Sequence, residues 1–365
     1  MSVHQLLVGA VQKRPNATAV QFQGKAATWA QLLQRVAARA TQLKVLGLKP
    51  GDRVAVLSAN VPECLEAHYA VLWAGMVLVP LNTRLSVAEQ VYILGHCDCV
   101  HLFFDERNAH LADKLAQQLR ALSTSQLTPL SQWEAEADPL KHEAAMPFQP
   151  SDHDATAAIF YTGGTTGRPK GVELTHLAIL IQAMSAKDHY ELDENTVFLH
   201  NAPMFHLADF TVSMGTTAGL GAHSFMPEFS PDAVLDRIED EGASVVVMVP
   251  TMISGVLQAA TSRRHVFARL KKILYGTAPI QEPLLLQLLS DAPSVGLVQI
   301  YGQSEAGGAC TALLPDRHVL QGPLAGKIKS AGRCTPAFML RIVDAEGKVA
   351  PTGEVGEIQL AGQAS

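Results

Sequence analysis

The chain has 365 residues, 48 % of them hydrophobic and 17 % charged, a balance that supports a large folded core and rules against a disordered chain. A net charge of −6 with scattered basic residues gives no footing for a nucleic-acid surface. The start, Met1-Ser-Val-His-Gln-Leu-Leu-Val, lacks the basic lead and long apolar core of a signal peptide, and Cys64, Cys97, Cys99, Cys310 and Cys334 form an odd set without scaffold spacing, so reduced thiols and a cytoplasmic location are expected.

In chain order, Thr28-Trp29-Ala30-Gln31 has the spacing of a capping box before a helix to about Leu46, stopped by Gly47 and Pro50-Gly51-Asp52. Arg53 to Ser58 reads as a compact strand, and Pro62 sits where a first helical turn tolerates proline. Ala67 to Leu81 continues as helix, breaks at Gly75, and ends in a strand from Met76. Ser86-Val87-Ala88-Glu89 is a second capping box, leading a helix to about His96, and Val100 to Phe104 is a strand. Cys97-Asp98-Cys99 puts both thiols on one side of a strand if extended, with no second ligand pair at zinc spacing. Ser123 to Ser151 is rich in Ser, Thr, Pro and acidic residues and reads as a surface connection.

An apolar, strand-like run, Ala155 to Phe160, then leads into a loop, and a helix is expected from about Thr175-His176. Further on come strands at Thr196 to His200 and Ala222 to Met226 around a helix from Asp209 to Ala218, and a capped, proline-started helix at Ser230-Pro231-Asp232. Ala243 to Ala260 is uncharged, but Pro250, Ser254 and Gly255 interrupt it. It therefore reads as a buried parallel strand (Ser244 to Val249) and a helix, not a membrane span. Lys271 to Tyr275 and Gly296 to Tyr301 are strands flanking a helix from Glu282 to Leu289, and Phe338 to Ala361 reads as a small β unit. Strands separated by helices at this spacing predict an α/β fold with layered, parallel-rich sheets. Approximate units are 1–150, 151–325 and 326–365.

The loop is Tyr161-Thr162-Gly163-Gly164-Thr165-Thr166-Gly167-Arg168-Pro169-Lys170-Gly171-Val172. Its glycines allow close approach of backbone to a ligand, its threonines supply hydroxyls, and Lys170 adds a mobile charge, a set suited to wrapping a polyphosphate. Pro169 before Lys170 separates it from a Walker A loop. The segment resembles the phosphate-loop signature of the adenylate-forming family: acyl- and aryl-CoA synthetases, luciferases and peptide-synthetase adenylation domains. Gly163 stands where that family usually has serine.

The resemblance extends to Tyr301-Gly302-Gln303-Ser304-Glu305, which implies Tyr301 packing on adenine, Ser304 bonding the α-phosphate and Glu305 as the Mg²⁺ ligand. Tyr275-Gly276-Thr277-Ala278-Pro279 is similar to the turn that lies along adenine and the acyl pocket. Pro203-Met204-Phe205-His206-Leu207-Ala208-Asp209 resembles the segment bordering the substrate carboxylate, where His206 would contact acid or ATP. Asp209 reads first as a helix cap and second as a holder of a polar substituent. Lys329 to Pro336 and Arg341 to Asp344, with Thr352 to Ile358 after them, resemble the region that opens the family's β subdomain.

The implied activity is an ATP-dependent carboxylic acid:CoA ligase working through an acyl-AMP, with ATP, Mg²⁺ and CoA. Lys170, His206 and Glu305 are the catalytic candidates. Thr162–Gly167, Gly276–Pro279 and Tyr301–Ser304 hold nucleotide, and Phe205, His206, Asp209, Thr251, Gly276, Gly307 and Gly308 line the acid pocket. His206 stands where peptide-synthetase domains place an aspartate, which disfavours that branch. Alternatives are an acyl-AMP ligase loading a carrier protein and a non-catalytic acyl-adenylate-binding module. The family's C-terminal lobe, with its catalytic lysine, is not found before Ser365, so the chain is expected to be a poorly active fragment holding the large N-terminal domain. The resemblance leaves a homodimer open.

Overall fold

The computed structural model describes residues 2–132, 152–163 and 167–362. Helix α1 (Gln5–Lys13) leads into a hairpin of β1 (Thr18–Phe22) and β2 (Lys25–Thr28). The Thr28 hydroxyl accepts the Gln31 N–H at 3.2 Å and the Gln31 side chain accepts the Thr28 N–H at 2.8 Å, the reciprocal box that starts α2 (Trp29–Val45). Strand β3 (Arg53–Leu57), α3 (Pro62–Trp73) and β4 (Val77–Pro80) follow, with the break at Gly75 in a left-handed conformation. The second box, Ser86 with Glu89, starts α4 (Val87–His96), and β5 (Cys99–Phe104), α5 (Ala109–Gln118) and β6 (Ser123–Gln126) complete this stretch. Cys97-Asp98-Cys99 is not extended: Cys97 caps α4, Asp98 turns at φ +48°, and Cys99 opens β5. The start of the section read as a surface connection is strand β6, and residues 133–151 lie outside the described residues.

Strand β7 (Thr156–Thr162) then pairs antiparallel with β8 (Lys170–Thr175), so a second strand stands where only loop and the approach to a helix are expected from the sequence. Thr162 faces Lys170 across this hairpin, so the Gly-rich loop is its tip. The Thr175 hydroxyl caps α6 (His176–His189) by accepting the Ala178 N–H at 3.0 Å. Alternation resumes through β9 (Val197–His200), α7 (Leu207–Ala218), β10 (Ala222–Phe225), α8 (Pro231–Asp240), β11 (Val245–Met248), α9 (Pro250–Ala259), β12 (Lys272–Gly276), α10 (Glu282–Asp291) and β13 (Gly296–Gln303). Last come β14 (Gly308–Leu313), β15 (Arg333–Cys334) and the antiparallel pair β16 (Met339–Val343) and β17 (Glu357–Ala361).

Two larger sheets result, six-stranded in the order β6-β5-β3-β4-β7-β8 and nine-stranded in the order β15-β14-β13-β12-β11-β9-β10-β1-β2. Their inner strands are parallel, edge strands β2 and β8 pair antiparallel with their neighbours, and β14, next to the edge, pairs antiparallel with both β13 and edge strand β15. The boundary at residue 150 does not separate the sheets. Residues 18–28 join the nine-stranded sheet, because β1 pairs with β10, and the β7–β8 hairpin joins the six-stranded one.

Every residue of α3 is buried, as is most of α7, so these helices are enclosed around their circumference and sit in the interior between the sheets, with their polar side chains buried too. One core gathers Trp29, Tyr69, Phe103, Phe160, Phe210 and Phe225 there. A second packs α8, α9 and α10 on the outer face of the nine-stranded sheet, and a third packs α4 and α5 on the six-stranded one. Between α2 and α3 the buried Glu66 carboxylate takes Arg39 at 2.9 Å and Arg35 at 3.5 Å, which compensates its desolvation. No helix among the described residues is long and apolar enough to cross a membrane.

Candidate active site

Parallel strands β9, β11, β12 and β13 deliver their carboxyl ends to one edge of the nine-stranded sheet, the edge where open α/β sheets bind ligands. Pro203–Asp209 follows β9, Thr251 begins α9 after β11, Thr277–Pro279 follows β12, and Tyr301–Glu305 ends β13. The 3₁₀ turn Ser304–Ala306 packs against β8, the strand that Lys170 opens. The Gly-rich hairpin and the Glu305 turn are thereby brought together.

The rim of this cleft is set by backbone contact. A Cβ on Gly276 would stand 2.1 Å from the Ile300 carbonyl oxygen, and one on Gly302 would stand 2.0 Å from that of Gly308. Thr277, a β-branched residue, holds φ +61°, a strained conformation of the kind retained at ligand sites. Thr277, Ala278 and Pro279 are exposed, as are Gly302, Gln303 and Glu305, and Ser304 is partly so. Tyr301 is 43 % exposed, leaving a ring face free for a planar group. Gly307, at φ +68°, ends the turn, and Gly308 lies against Gln182 and Thr211.

On the hairpin, Thr162 is half-buried and Gly163, Gly167 and Lys170 are exposed. A Cβ at Gly163 or Gly167 would meet nothing within 4 Å, so these glycines leave room. Gly164, Thr165 and Thr166 lie outside the described residues. Tyr161 and Arg168, at the loop's two shoulders, both rest on α4. The Tyr161 hydroxyl is 2.7 Å from His96 Nδ1, and the Arg168 guanidinium lies 5.5 Å from the centroid of the Tyr92 ring.

His206 is the N-cap residue of α7, exposed and making no side-chain cap bond, with the Phe205 ring 4.6 Å from its own. Partial desolvation, then the Arg84 charge, pulls its imidazole below the ordinary histidine range. At neutral pH it is a neutral donor beside a helix N-terminus, suited to a carboxylate.

Asp209 departs from both expectations. It is neither a cap nor open to the cleft: fully buried, it turns inward and Oδ1 lies 2.7 Å from His200 Nδ1. His200 Nε2 continues to His223 Nδ1 at 3.0 Å, and His223 Nε2 to the Thr217 hydroxyl at 3.1 Å. Burial pushes the Asp209 carboxyl well up and the His200 ring down to about 3.

Three supporting residues escaped the sequence reading. Asn60 Nδ2 donates to the His200 and Ala202 carbonyls, both at 2.7 Å, and its Oδ1 accepts the Met204 N–H at 2.9 Å, which fixes the chain leading to His206. Asn201 bridges to the Val247 carbonyl at 2.7 Å and ties the end of β9 to β11. From α6, Gln182 donates to the Ala306 carbonyl at 3.1 Å and holds the Glu305 turn. The one available signal is at Asn60, an Asn in the short link between strand β3 and the proline that starts α3.

These features fit a nucleotide: an exposed aromatic face beside a rim that only glycine can form, a Gly-rich tip with space around it, and a lysine. Glu305 fits Mg²⁺, which takes one or two carboxylates and completes its shell with water and phosphate oxygens.

The AMP-binding enzyme family matches residues 8–365. The chain is 34 % identical to a feruloyl-CoA synthase of Amycolatopsis over 352 residues, covering 95 % of this chain and 67 % of the relative. It is 31 % identical to the fatty acid–[acyl-carrier-protein] ligase ScoC of Streptomyces coeruleorubidus, at 96 % and 67 % coverage. The ATP-bound crystal structure of MatB from Rhodopseudomonas palustris superposes with a TM-score of 0.84 at 25 % identity, over 99 % of this chain and 70 % of that one. The chain thus spans about two thirds of the length of these relatives.

Proposed function

Because the chain belongs to the AMP-binding enzyme family, we propose that it carries the ATP and acid sites of a carboxylic acid:CoA ligase that works through an acyl-AMP. The observation that supports this reading is the packing of β8, the strand that Lys170 opens, against the Ser304–Ala306 turn. A carboxylate oxygen attacks the α-phosphorus of ATP, the bond to pyrophosphate breaks, and the acyl-AMP is then passed to a thiol. Such transfers depend on positioning and on charge neutralisation more than on covalent help from the protein.

In this reading Tyr301 packs on adenine between the Thr277–Pro279 turn and the Gly302 rim. Thr162–Gly167 and Lys170 wrap the β- and γ-phosphates, and Ser304 donates to the α-phosphate. Glu305 would hold Mg²⁺, which when bound screens phosphate charge from the incoming carboxylate. His206 and Phe205 orient the acid, whose apolar body lies toward Thr251, Gly307 and Gly308. Asp209 is assigned a supporting role behind β9, away from substrate. The feruloyl and fatty-acid relatives support a hydrophobic acid, aryl or alkyl. CoA is the acceptor in this reading, and the carrier-protein ligase among the relatives supports acyl transfer to a carrier protein as a second one.

Calorimetry with stable acyl-AMP analogues, alkyl against benzoyl-type, tests the site directly. Binding in the micromolar range or tighter with a preference for one class is expected. Glu305→Gln should keep the fold and analogue binding but remove the Mg²⁺ dependence of ATP binding. Folded protein that binds no analogue would sink the proposal.

A further inference from the structure

Helix α7 carries a polar stripe into the interior. Asp209, Ser213 and Thr217 recur every fourth residue, so they share one face, and all three are buried. Against that face lie His200 of β9 and His223 of β10, both buried, with the Phe225 ring stacked 4.7 Å from that of His200. The bonds that join these groups run from Asp209, in the first turn of α7, to Thr217, about 12 Å further along the helix axis.

The far end gives this chain of bonds a direction. Thr217 has one hydroxyl proton, and its oxygen lies 3.3 Å from the Ser213 carbonyl, a group that can only accept. With its proton spent there, Thr217 accepts from His223 Nε2–H at 3.1 Å. A neutral His223 then leaves Nδ1 to accept from His200 Nε2–H at 3.0 Å. A neutral His200 leaves its own Nδ1 as an acceptor, and the 2.7 Å bond to Oδ1 takes its proton from the Asp209 carboxyl. Reversing the chain would cost the bond to the Ser213 carbonyl and would end in an ionised Asp209. Nothing at Asp209 favours that charge: it is fully buried, no lysine or arginine pairs with it among the described residues, and its Oδ2 makes no hydrogen bond.

We propose that Thr217 is a positioning residue: through His223 and His200 it keeps a proton on Asp209, so that the first turn of α7 carries no negative charge and its N-terminus stays receptive to the carboxylate of an acid. An ionised Asp209, three residues past the His206 cap, would repel that carboxylate and compete for the same end of the helix dipole. From α3 the Cys64 thiol, the His68 ring and the Tyr69 phenol face these groups. Burial holds Cys64 and Tyr69 up and His68 down to about 3, so none of the three changes charge near neutrality. Glu63, raised to about 7, meets Asp105 and the Leu130 backbone instead. At the open end of the helix stand His206, below the ordinary histidine range, and the Arg84 charge. Only the effect on acid binding rests on the function proposed above.

The test reads the two rings directly, by nitrogen NMR of the histidine side chains at neutral pH, and the acid by calorimetry with benzoate and with octanoate. In the wild type His200 and His223 should both be Nε2–H rings. Thr217→Val should turn both into Nδ1–H rings, and Thr217→Ser should keep the original pair. Between pH 6 and pH 8 the acid affinity of Thr217→Val should fall about tenfold relative to wild type. Adding Asp209→Asn, which cannot ionise, should abolish that fall with Thr217→Val still in place, a rescue that a packing defect would not show. An Nδ1–H on either ring of the wild type, or a fall with pH that Asp209→Asn leaves unchanged, overturns the proposal. Rings that behave as stated in protein that binds neither acid would instead remove the acid-binding reading and leave the directed chain standing.

Discussion

Gly276 and Gly302, at the rim of the nine-stranded sheet, press so closely on neighbouring carbonyls that a single carbon has no room, whereas Gly163 and Gly167, at the tip of the β7–β8 hairpin, meet nothing within 4 Å. The same residue type does opposite work. At the rim it lets backbone pack on backbone, and Asn60, Asn201 and Gln182 lock the surrounding turns from buried positions. At the tip it keeps space empty, and the loop is steadied from one side, by aromatic and polar contacts to α4. On the proposed reading a base would rest against the fixed rim and a polyphosphate against the hairpin, the lightly held wall.

The largest expected effect separates the two glycine classes. Gly302→Val should destabilise the fold by about 3 kcal/mol or more, since backbone must move. Gly163→Ala should change stability by no more than about 0.5 kcal/mol while weakening ATP binding. Urea unfolding of both variants decides it, and equal losses would erase the distinction.

Acid attacks the interior next. His68 and His200 are held near 3 by burial, His4, His101 and His176 near 4, and His223 is lowered as well. The unfolded chain takes up protons below about pH 6.5 that these folded rings refuse, so their stabilisation is complete above that pH and is lost as pH falls toward 3–4. For one fully buried ring this amounts to about 2 kcal/mol between pH 6.5 and 5. Glu63, raised to about 7, and Asp209 act in the opposite sense, but the six histidines outnumber them. Calorimetric melting midpoints should fall steadily from pH 7 to pH 5, and a flat profile would contradict the burial of neutral rings.

The smallest effect lies at the lightly held wall. Tyr161→Phe removes the bond to His96 and should cost about 1 kcal/mol of stability, with a several-fold loss of ATP affinity. Unchanged affinity would mean that α4 does not steady the loop.

Much of this was legible in the sequence because the responsible forces are local. Thr28 and Ser86 start helices through residues three positions away, and Pro62, Ser230 and Pro231 announce their helices without help from the fold. The Gly-rich loop and the Tyr301–Glu305 segment stand out as contiguous motifs. What escaped depends on distant partners. Strand β8 looks like a helix approach until Thr156 to Thr162 is laid beside it. Asp209 fits a cap by position, yet a histidine nine residues earlier claims its carboxyl in the interior. Cys97-Asp98-Cys99 alternates like a strand, but the end of α4 and the positive φ at Asp98 bend it.

The pairing of β1 with β10 bears on how the chain is born. Val20 finds its partner His223 roughly 200 residues later. At ordinary rates of synthesis the first hairpin waits on the order of 10–40 s for that partner to emerge. Through that interval one side of β1 is an unpaired template that another nascent chain can occupy. The earlier-made partner of this pair is thus seated late, and crowded synthesis on one messenger would favour exchange of this hairpin between copies.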